Sequence, residues 1–254
     1  MTAIVLAAGY ATRLYPLTLD TPKALLKIGG VTMLDHLVNK IGVIGAVTRV
    51  AIVSNDKFYG QFLEWKDRRA KESEYGGRDR FELAILNDGT ASEQTRLGAI
   101  GDIRYALDAL AVDDELLVAA SDNFFTYKLG DFYDFYLRMD ADCVSAMHMD
   151  DREALRGMGV AVLSPDFTVL DFEEKPQNPK SNIAVFATYF YKRETLPLFT
   201  SYLEAGNPKD APGNFPAWLC RRKRVAAYLF DGVCYDVGTP EAYRDLCAQY
   251  ESGA

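Results

Sequence analysis

The chain has 254 residues, 49% of them hydrophobic, and carries a formal net charge of −8. That is enough material for the core of one large α/β domain. The acidity argues against a broad nucleic-acid or anionic-membrane surface, while leaving room for a locally basic pocket that takes small anions. No apolar stretch approaches the ~20 residues of a transmembrane helix, and no basic leader precedes the short N-terminal apolar run. Cys143, Cys220, Cys234 and Cys247 are scattered without metal-ligand spacing, which predicts reduced, mostly buried thiols and a cytoplasmic setting.

The first element is the apolar run Ala3 to Ala8, which reads as a strand buried on both faces of a parallel sheet. Gly9 follows at once, then Thr12 and Arg13, with Lys23 further along. A small-residue turn after a buried strand brings backbone N–H groups close to a polyphosphate. Arg13 and Lys23 can add cationic donors to the same anion. Gly29-Gly30 marks a turn, and Thr32 an N-cap for a helix reaching about Ile41. Val50 to Ser54 is a second buried strand. The charged segment from Glu64 to Arg80, closing on Gly76-Gly77, reads as a solvated helix and loop.

Phe81 to Leu86 is a third strand, with Asn87 to Thr90 turning away from its end. A helix is expected over Glu93 to Leu110, a strand over Glu115 to Ala120, a helix over Phe132 to Met139 and a strand over Asp142 to Met147. Asp122-Asn123 stands just past a strand, at the edge where open α/β sheets bind ligands, although an Asx-turn fits those two residues equally well. Strands alternating with helices predict a Rossmann-like, doubly wound, mostly parallel sheet.

The second half changes character. Gly159 to Leu163, Val169 to Glu173 and Ala184 to Tyr191 are strand-like runs with short connections, a β-rich portion suited to receiving a second substrate. Pro176 predicts an extended backbone at Lys175. Helices near Glu194–Glu204 and Phe215–Arg222, a strand from Val225 to Phe230 and a helix from Pro240 to about Tyr250 complete the chain. The basic run Arg221 to Arg224 reads as a solvated helix end, with a phosphate contact from one of them the minority reading, and the aromatic stretch Phe124 to Tyr136 as core or a subunit contact. Only His36 and His148 are present, so a histidine base is not expected.

Leu6-Ala-Ala-Gly-x-x-Thr-Arg-Leu14, with Pro16-Leu17-Thr18 and Pro22-Lys23, resembles the signature of sugar nucleotidyltransferases, including glucose-1-phosphate thymidylyltransferases. Asp122-Asn123, Asp171-Phe-Glu-Glu-Lys-Pro176, the segment from Pro179 to Val185, and Tyr235-Asp-Val-Gly-Thr-Pro-Glu241 extend the resemblance over nearly the whole chain. It implies a nucleotide-diphospho-sugar transferase-like fold, with residues 1–254 forming a single domain. The reaction it implies joins an NTP and a sugar 1-phosphate to give an NDP-sugar and pyrophosphate. In that resemblance the nucleotide is bound by Leu6, Ala7, Ala8, Gly9, Thr12, Arg13, Asn87 and Gly98. Gly159, Glu174 and Lys175 hold the sugar phosphate, Asp122 and Asp236 hold magnesium (Mg2+), and Arg13, Lys23 and Lys175 carry catalysis.

Three departures stand out. Ser121 replaces a family glycine, Ala8 and Ala11 stand where many relatives carry glycine, and Asn87 replaces a glutamine, which leaves the base preference open. A phosphate monoester is already largely ionised at neutral pH, its second pKa being near ~6, so no general base is required. The rivals are the same chemistry on a non-sugar acceptor such as phosphocholine, a non-catalytic nucleotide-sugar-binding relative, and a glycosyltransferase. The last would more typically carry an Asp-x-Asp element. The expected partners are the two small anionic substrates, with no nucleic acid and no membrane; a homo-oligomer is left open.

Overall fold

The N-terminal apolar run forms the strand Thr2–Leu6, whose first four residues are buried. The computed structural model describes residues 1–71 and 80–252; the expected Gly76-Gly77 turn lies outside them. The chain divides into two compact units. One comprises Met1–Arg96, Ala120–Thr126 and Val233–Ala254, the other Leu97–Ala119 and Tyr127–Gly232.

In the first unit, Thr2–Leu6 pairs in parallel with Arg49–Ser54, which pairs in parallel with Glu82–Asn87. Val5 lies beside Ile52, and Ile52 beside Ile85, a β-branched register that suits a sheet buried on both faces. The first strand stops at Leu6 rather than Ala8, although Ala7 N still donates to Val53 O at 2.9 Å. Gly29 and Gly30, at φ 59° and 82°, close a small hairpin of Lys27–Ile28 with Val31–Thr32. Two consecutive positive φ values are what a tight hairpin turn needs and what glycine supplies without strain.

Helix Met33–Ile41 begins as expected, with the Thr32 side chain accepting from Asp35 N at 3.0 Å. Helix Tyr59–Lys71 starts earlier than its charged half suggests. It is tied down through Asp35, which accepts from Trp65 Nε1 (3.1 Å), Arg68 (3.0 Å) and Arg69 (2.9 Å). Burial alone would raise the Asp35 pKa. The donors from Thr32, Arg68, Arg69 and Trp65 outweigh it and hold the carboxyl below its ordinary value.

In the second unit, Ile183–Tyr191 runs antiparallel to Leu116–Ala120, Asp142–His148 and Gly159–Leu163. Val169–Glu174 extends the sheet beyond Gly159–Leu163, and Val225–Leu229 lies parallel to Asp142–His148. The expected aromatic core is present. Phe132 stacks on Tyr228 and Tyr136 on Phe190, with centroids 5.1 and 5.0 Å apart. The helix carrying them runs Leu129–Met139, one turn longer than expected.

The expected helix from Glu93 is broken. Glu93–Thr95 is a single 3-10 turn, and the α-helix spans Ala99–Ala109. The basic run is not simply solvated. Lys223 Nζ lies 2.9 Å from the buried Asp142, and the Arg222 guanidinium sits 3.8 Å over the Trp218 ring. Among the described residues no helix is long and apolar enough to cross a membrane; all four cysteines are free, but only Cys143, inside a central strand, is buried, the other three being half-buried.

Candidate active site

The residues after the first strand leave the sheet under close control. Asn55, fully buried, donates from Nδ2 to Ala8 O at 2.9 Å and accepts from Phe58 N at 3.1 Å. Leu6 is half-buried, Ala7 and Ala8 are buried and Gly9 is exposed. A Cβ built on Gly9 would meet nothing within 4 Å, so the backbone there is open to close approach by a ligand. Ala11 adopts φ 48°, ψ 42°, the left-handed region, which costs a residue with a Cβ about 1–2 kcal/mol. Its carbonyl is held by Leu14 N at 3.0 Å and by the buried Thr18 hydroxyl at 2.8 Å. That conformation explains why glycine suits this position. Thr12 and Arg13 then project outward from the 3-10 turn Thr12–Leu14, while Leu14 turns into the core.

Lys23 opens a second 3-10 turn, Lys23–Leu25, whose start is set by Pro22. Leu26 N donates back to Lys23 O at 3.1 Å, and Leu26 O accepts from Met33 N at 2.9 Å. Leu14, Leu26, Met33 and Val237 share one buried apolar cluster. The segments carrying Arg13, Lys23 and Asp236 are therefore clamped from below by the same core.

Asp122 and Asp236 are brought together by a two-stranded ribbon that sequence reasoning missed. Ser121 N donates to Leu6 O at 3.1 Å, fixing Asp122 beside the end of the first strand. Asn123–Phe125 then pairs antiparallel with Cys234–Asp236, placing Asp236 opposite Asn123. Val237 N closes the ribbon onto Asp122 O at 3.2 Å. Both carboxylates reach one ammonium, with Lys23 Nζ 3.1 Å from Asp122 Oδ2 and 3.7 Å from Asp236 Oδ1. A Cβ on Gly238 would lie 3.7 Å from the Arg13 guanidinium and 3.9 Å from Asp236 Oδ1, so Arg13 belongs to the same group.

Two carboxylates that already share a cation fit a divalent metal. Among the described residues no group of three or more His, Cys, Asp or Glu is arranged to hold one. The remaining ligands would come from substrate oxygens and water, an incomplete protein shell that suits magnesium.

Asn87 ends the strand Glu82–Asn87 with both amide atoms engaged. Its Nδ2 donates to Asp56 Oδ1 and its Oδ1 accepts from Gly89 N, both at 2.9 Å. Tyr10 Oη donates to Thr90 O at 3.0 Å, joining this turn to the loop that follows the first strand.

The other expected residues lie in the second unit. Gly159 pairs with Glu174 across the Gly159–Leu163 and Val169–Glu174 strands. No hydrogen bond or ion pair reaches the Glu174 carboxylate among the described residues, and burial raises its pKa against a smaller opposing effect of Lys175. Gly213, which nothing in the sequence distinguishes from an ordinary helix start, leaves the space the carboxylate fills. A Cβ there would collide with Glu174 Oε2 and lie 3.0 Å from Cδ.

Lys175 is exposed but not extended as Pro176 predicted. It takes φ 51°, and its N–H donates to Met158 O at 2.9 Å as the strand ends. Gly98, at φ 80°, is packed by its own chain. A Cβ there would fall 2.8 Å from Lys209 O, and Ile100 N donates to that carbonyl at 3.0 Å.

A family model described as "Nucleotidyl transferase" matches residues 2–253. A glucose-1-phosphate adenylyltransferase from Thermomicrobium roseum is 36% identical over 132 residues, covering 51% of this chain and 31% of that protein. One from Bacillus subtilis is 26% identical over 257 residues, covering 94% of this chain and 64% of that protein. The chain thus spans less than two thirds of the length of these relatives. The solved structure of UDP-glucose pyrophosphorylase complexed with UDP-glucose has a TM-score of 0.81 at 21% identity, covering 100% of this chain and 99% of that chain. That is a likeness of fold.

Proposed function

Because the chain belongs to the nucleotidyl transferase family, we propose that it joins an NTP and a sugar 1-phosphate, giving an NDP-sugar and pyrophosphate, with magnesium as the metal. Residues 1–254 form one nucleotidyltransferase domain in this reading, since the family match runs through both units. The observation that supports it most is the convergence of Asp122 and Asp236 on Lys23, with Arg13 alongside. The four free cysteines suit the cytoplasm, a reducing compartment where NTPs are made.

The chemical difficulty is charge, because one polyanion must approach another in line at the α-phosphorus. Positioning and neutralisation therefore dominate the catalysis. The acceptor phosphate is its own nucleophile, ionised at neutral pH, so no residue need remove a proton. Leu6 to Gly9 offer backbone to the triphosphate, with Thr12 beside them. Arg13 and Lys23 neutralise the pyrophosphate side. In this reading Asn87 and Gly98 serve the nucleoside. Lys175 holds the acceptor phosphate, while Glu174, beside Gly159, accepts hydrogen bonds from sugar hydroxyls. Magnesium, held by Asp122 and Asp236, supplies further neutralisation of phosphate oxygens when bound.

Pyrophosphate release measured over a grid of NTPs and phosphorylated acceptors tests the proposal. Release that requires a sugar 1-phosphate and magnesium is expected. Release with phosphocholine but with no sugar phosphate, or none with any acceptor, overturns it.

A further inference from the structure

Lys23 belongs to the anion-binding loop, yet its ammonium faces two carboxylates. Its side chain is only 11% exposed, against 40% for Asp122 and 57% for Asp236. The 3-10 turn and Pro22 fix its backbone, so its direction is set by the terminal part of the side chain. Nζ donates to Asp122 at 3.1 Å and stands 3.7 Å from Asp236. A cation held by both carboxylates would need the space that Nζ fills. An ammonium so engaged cannot turn the same donors to a phosphate.

We propose that Lys23 is the resident counter-cation of the Asp122–Asp236 pair, and that a divalent metal takes its place and releases the ammonium to the polyphosphate. This rests on the metal assignment made under the proposed function. Charge explains why the exchange matters. With Lys23 between them and Arg13 alongside, the two carboxylates are only balanced, so the metal-free group offers a triphosphate no net positive charge. Adding a divalent cation while Lys23 swings aside makes the same group net positive. Metal alone must compete with Lys23, so it binds weakly; a polyphosphate that accepts the freed ammonium removes the competitor. Metal and polyphosphate therefore bind cooperatively, and by linkage each strengthens the other equally. No backbone movement is needed, because the clamp beneath Leu14, Leu26 and Val237 stays in place.

The test titrates the full chain with Mn2+ in place of Mg2+, followed by electron paramagnetic resonance without nucleotide. Lys23→Met should bind Mn2+ about tenfold more tightly than wild type, roughly 1.4 kcal/mol. Lys23→Arg, which keeps the charge, should not. Pyrophosphate should tighten Mn2+ binding to wild type and do so less for Lys23→Met. Independently of any variant, peptide-resolved acylation of Lys23 in wild type should rise several-fold with Mn2+ and fall again with pyrophosphate. No gain in Lys23→Met, or unchanged acylation at saturating Mn2+, overturns the exchange. If Asp122→Asn and Asp236→Asn abolish pyrophosphate-dependent Mn2+ uptake while Lys23→Met shows no gain, the exchange alone fails. If those two variants bind Mn2+ as wild type does, the metal assignment and the exchange fall together.

Discussion

Asp236 pairs with Asn123 across the antiparallel ribbon, and that pairing carries its carboxylate to the ammonium that Asp122 already holds. Asp236 is exposed and Asp122 half-buried, and either amide leaves Lys23 the other carboxylate, so an isosteric amide should change folding stability by no more than about 1 kcal/mol. The effect should fall on chemistry. Asp122→Asn and Asp236→Asn should each melt near the wild-type temperature and lose most magnesium-dependent pyrophosphate release. Wild-type turnover in either variant would remove the metal assignment.

Asp35 predicts the opposite division between stability and activity. It is buried, and Arg69, which it partners at 2.9 Å, is 2% exposed. Breaking a buried pair by removing one partner costs about 3–5 kcal/mol, because the other charge remains uncompensated. Asp35→Asn should therefore lower stability strongly, as read by urea denaturation. The carboxyl is held below its ordinary value of 3.8, so its contribution is complete above that pH and is lost as pH falls through the lower native value. Wild type should lose more stability than Asp35→Asn over that acid range. Parallel pH dependences would show that the network is not what links the two helices.

What could be read in advance was what is encoded locally. The buried strands announce themselves by β-branched runs such as Val50 to Ser54, and helix Met33–Ile41 by the Thr32 cap. The ribbon escaped because Asn123–Phe125 and Cys234–Asp236 are three residues each, too short for any periodicity, and their pairing is long-range. The helix expected from Glu93 is interrupted at Gly98, where the first N–H groups of Ala99–Ala109 are met by Lys209 and Asp210 carbonyls. That contact is set by a segment far along the chain. At Lys175 a tertiary hydrogen bond to Met158 O accompanies a left-handed backbone that the following proline alone does not predict. The resemblance already pairs Asp122 with Asp236 around a metal; that the Lys23 ammonium stands between them depends on the terminal atoms of a long side chain, which no motif encodes.

Arg13 and Lys175 should separate the two substrates. Both are exposed, and removing either should leave folding within about 0.5 kcal/mol of wild type. Arg13→Ala should lower turnover through the triphosphate side. Lys175→Ala should raise the KM for the sugar phosphate while NTP affinity, measured by equilibrium binding, changes little. Equal damage to NTP affinity in Lys175→Ala would move that residue to the triphosphate.

Glu174 gives the acceptor side a pH signature. Burial raises its pKa above the ordinary 4.5, and only the ionised form is an acceptor at full charge-assisted strength, the protonated one having turned one oxygen into a donor. The KM for the acceptor should therefore rise as pH falls through that elevated value, and Glu174→Gln should flatten the dependence. The same shift means that ionised Glu174 does not favour the folded state: its contribution diminishes as pH rises from 4.5 through the raised native pKa. Glu174→Gln should accordingly be no less stable than wild type at neutral pH. Gly213 provides a second handle on the same carboxylate. A methyl there would strike Glu174 Oε2, the far end of a flexible side chain, which can move aside at little cost to the fold. Gly213→Ala should thus melt near the wild-type temperature while displacing the Glu174 carboxylate from the sugar hydroxyls. Hydrogen bonds to a charged group contribute about 1.5–3 kcal/mol each, so losing one should raise the acceptor KM by at least about tenfold, with the KM for NTP unchanged. A large fall in melting temperature with normal acceptor KM would show that Gly213 serves packing alone and that Glu174 does not touch the sugar.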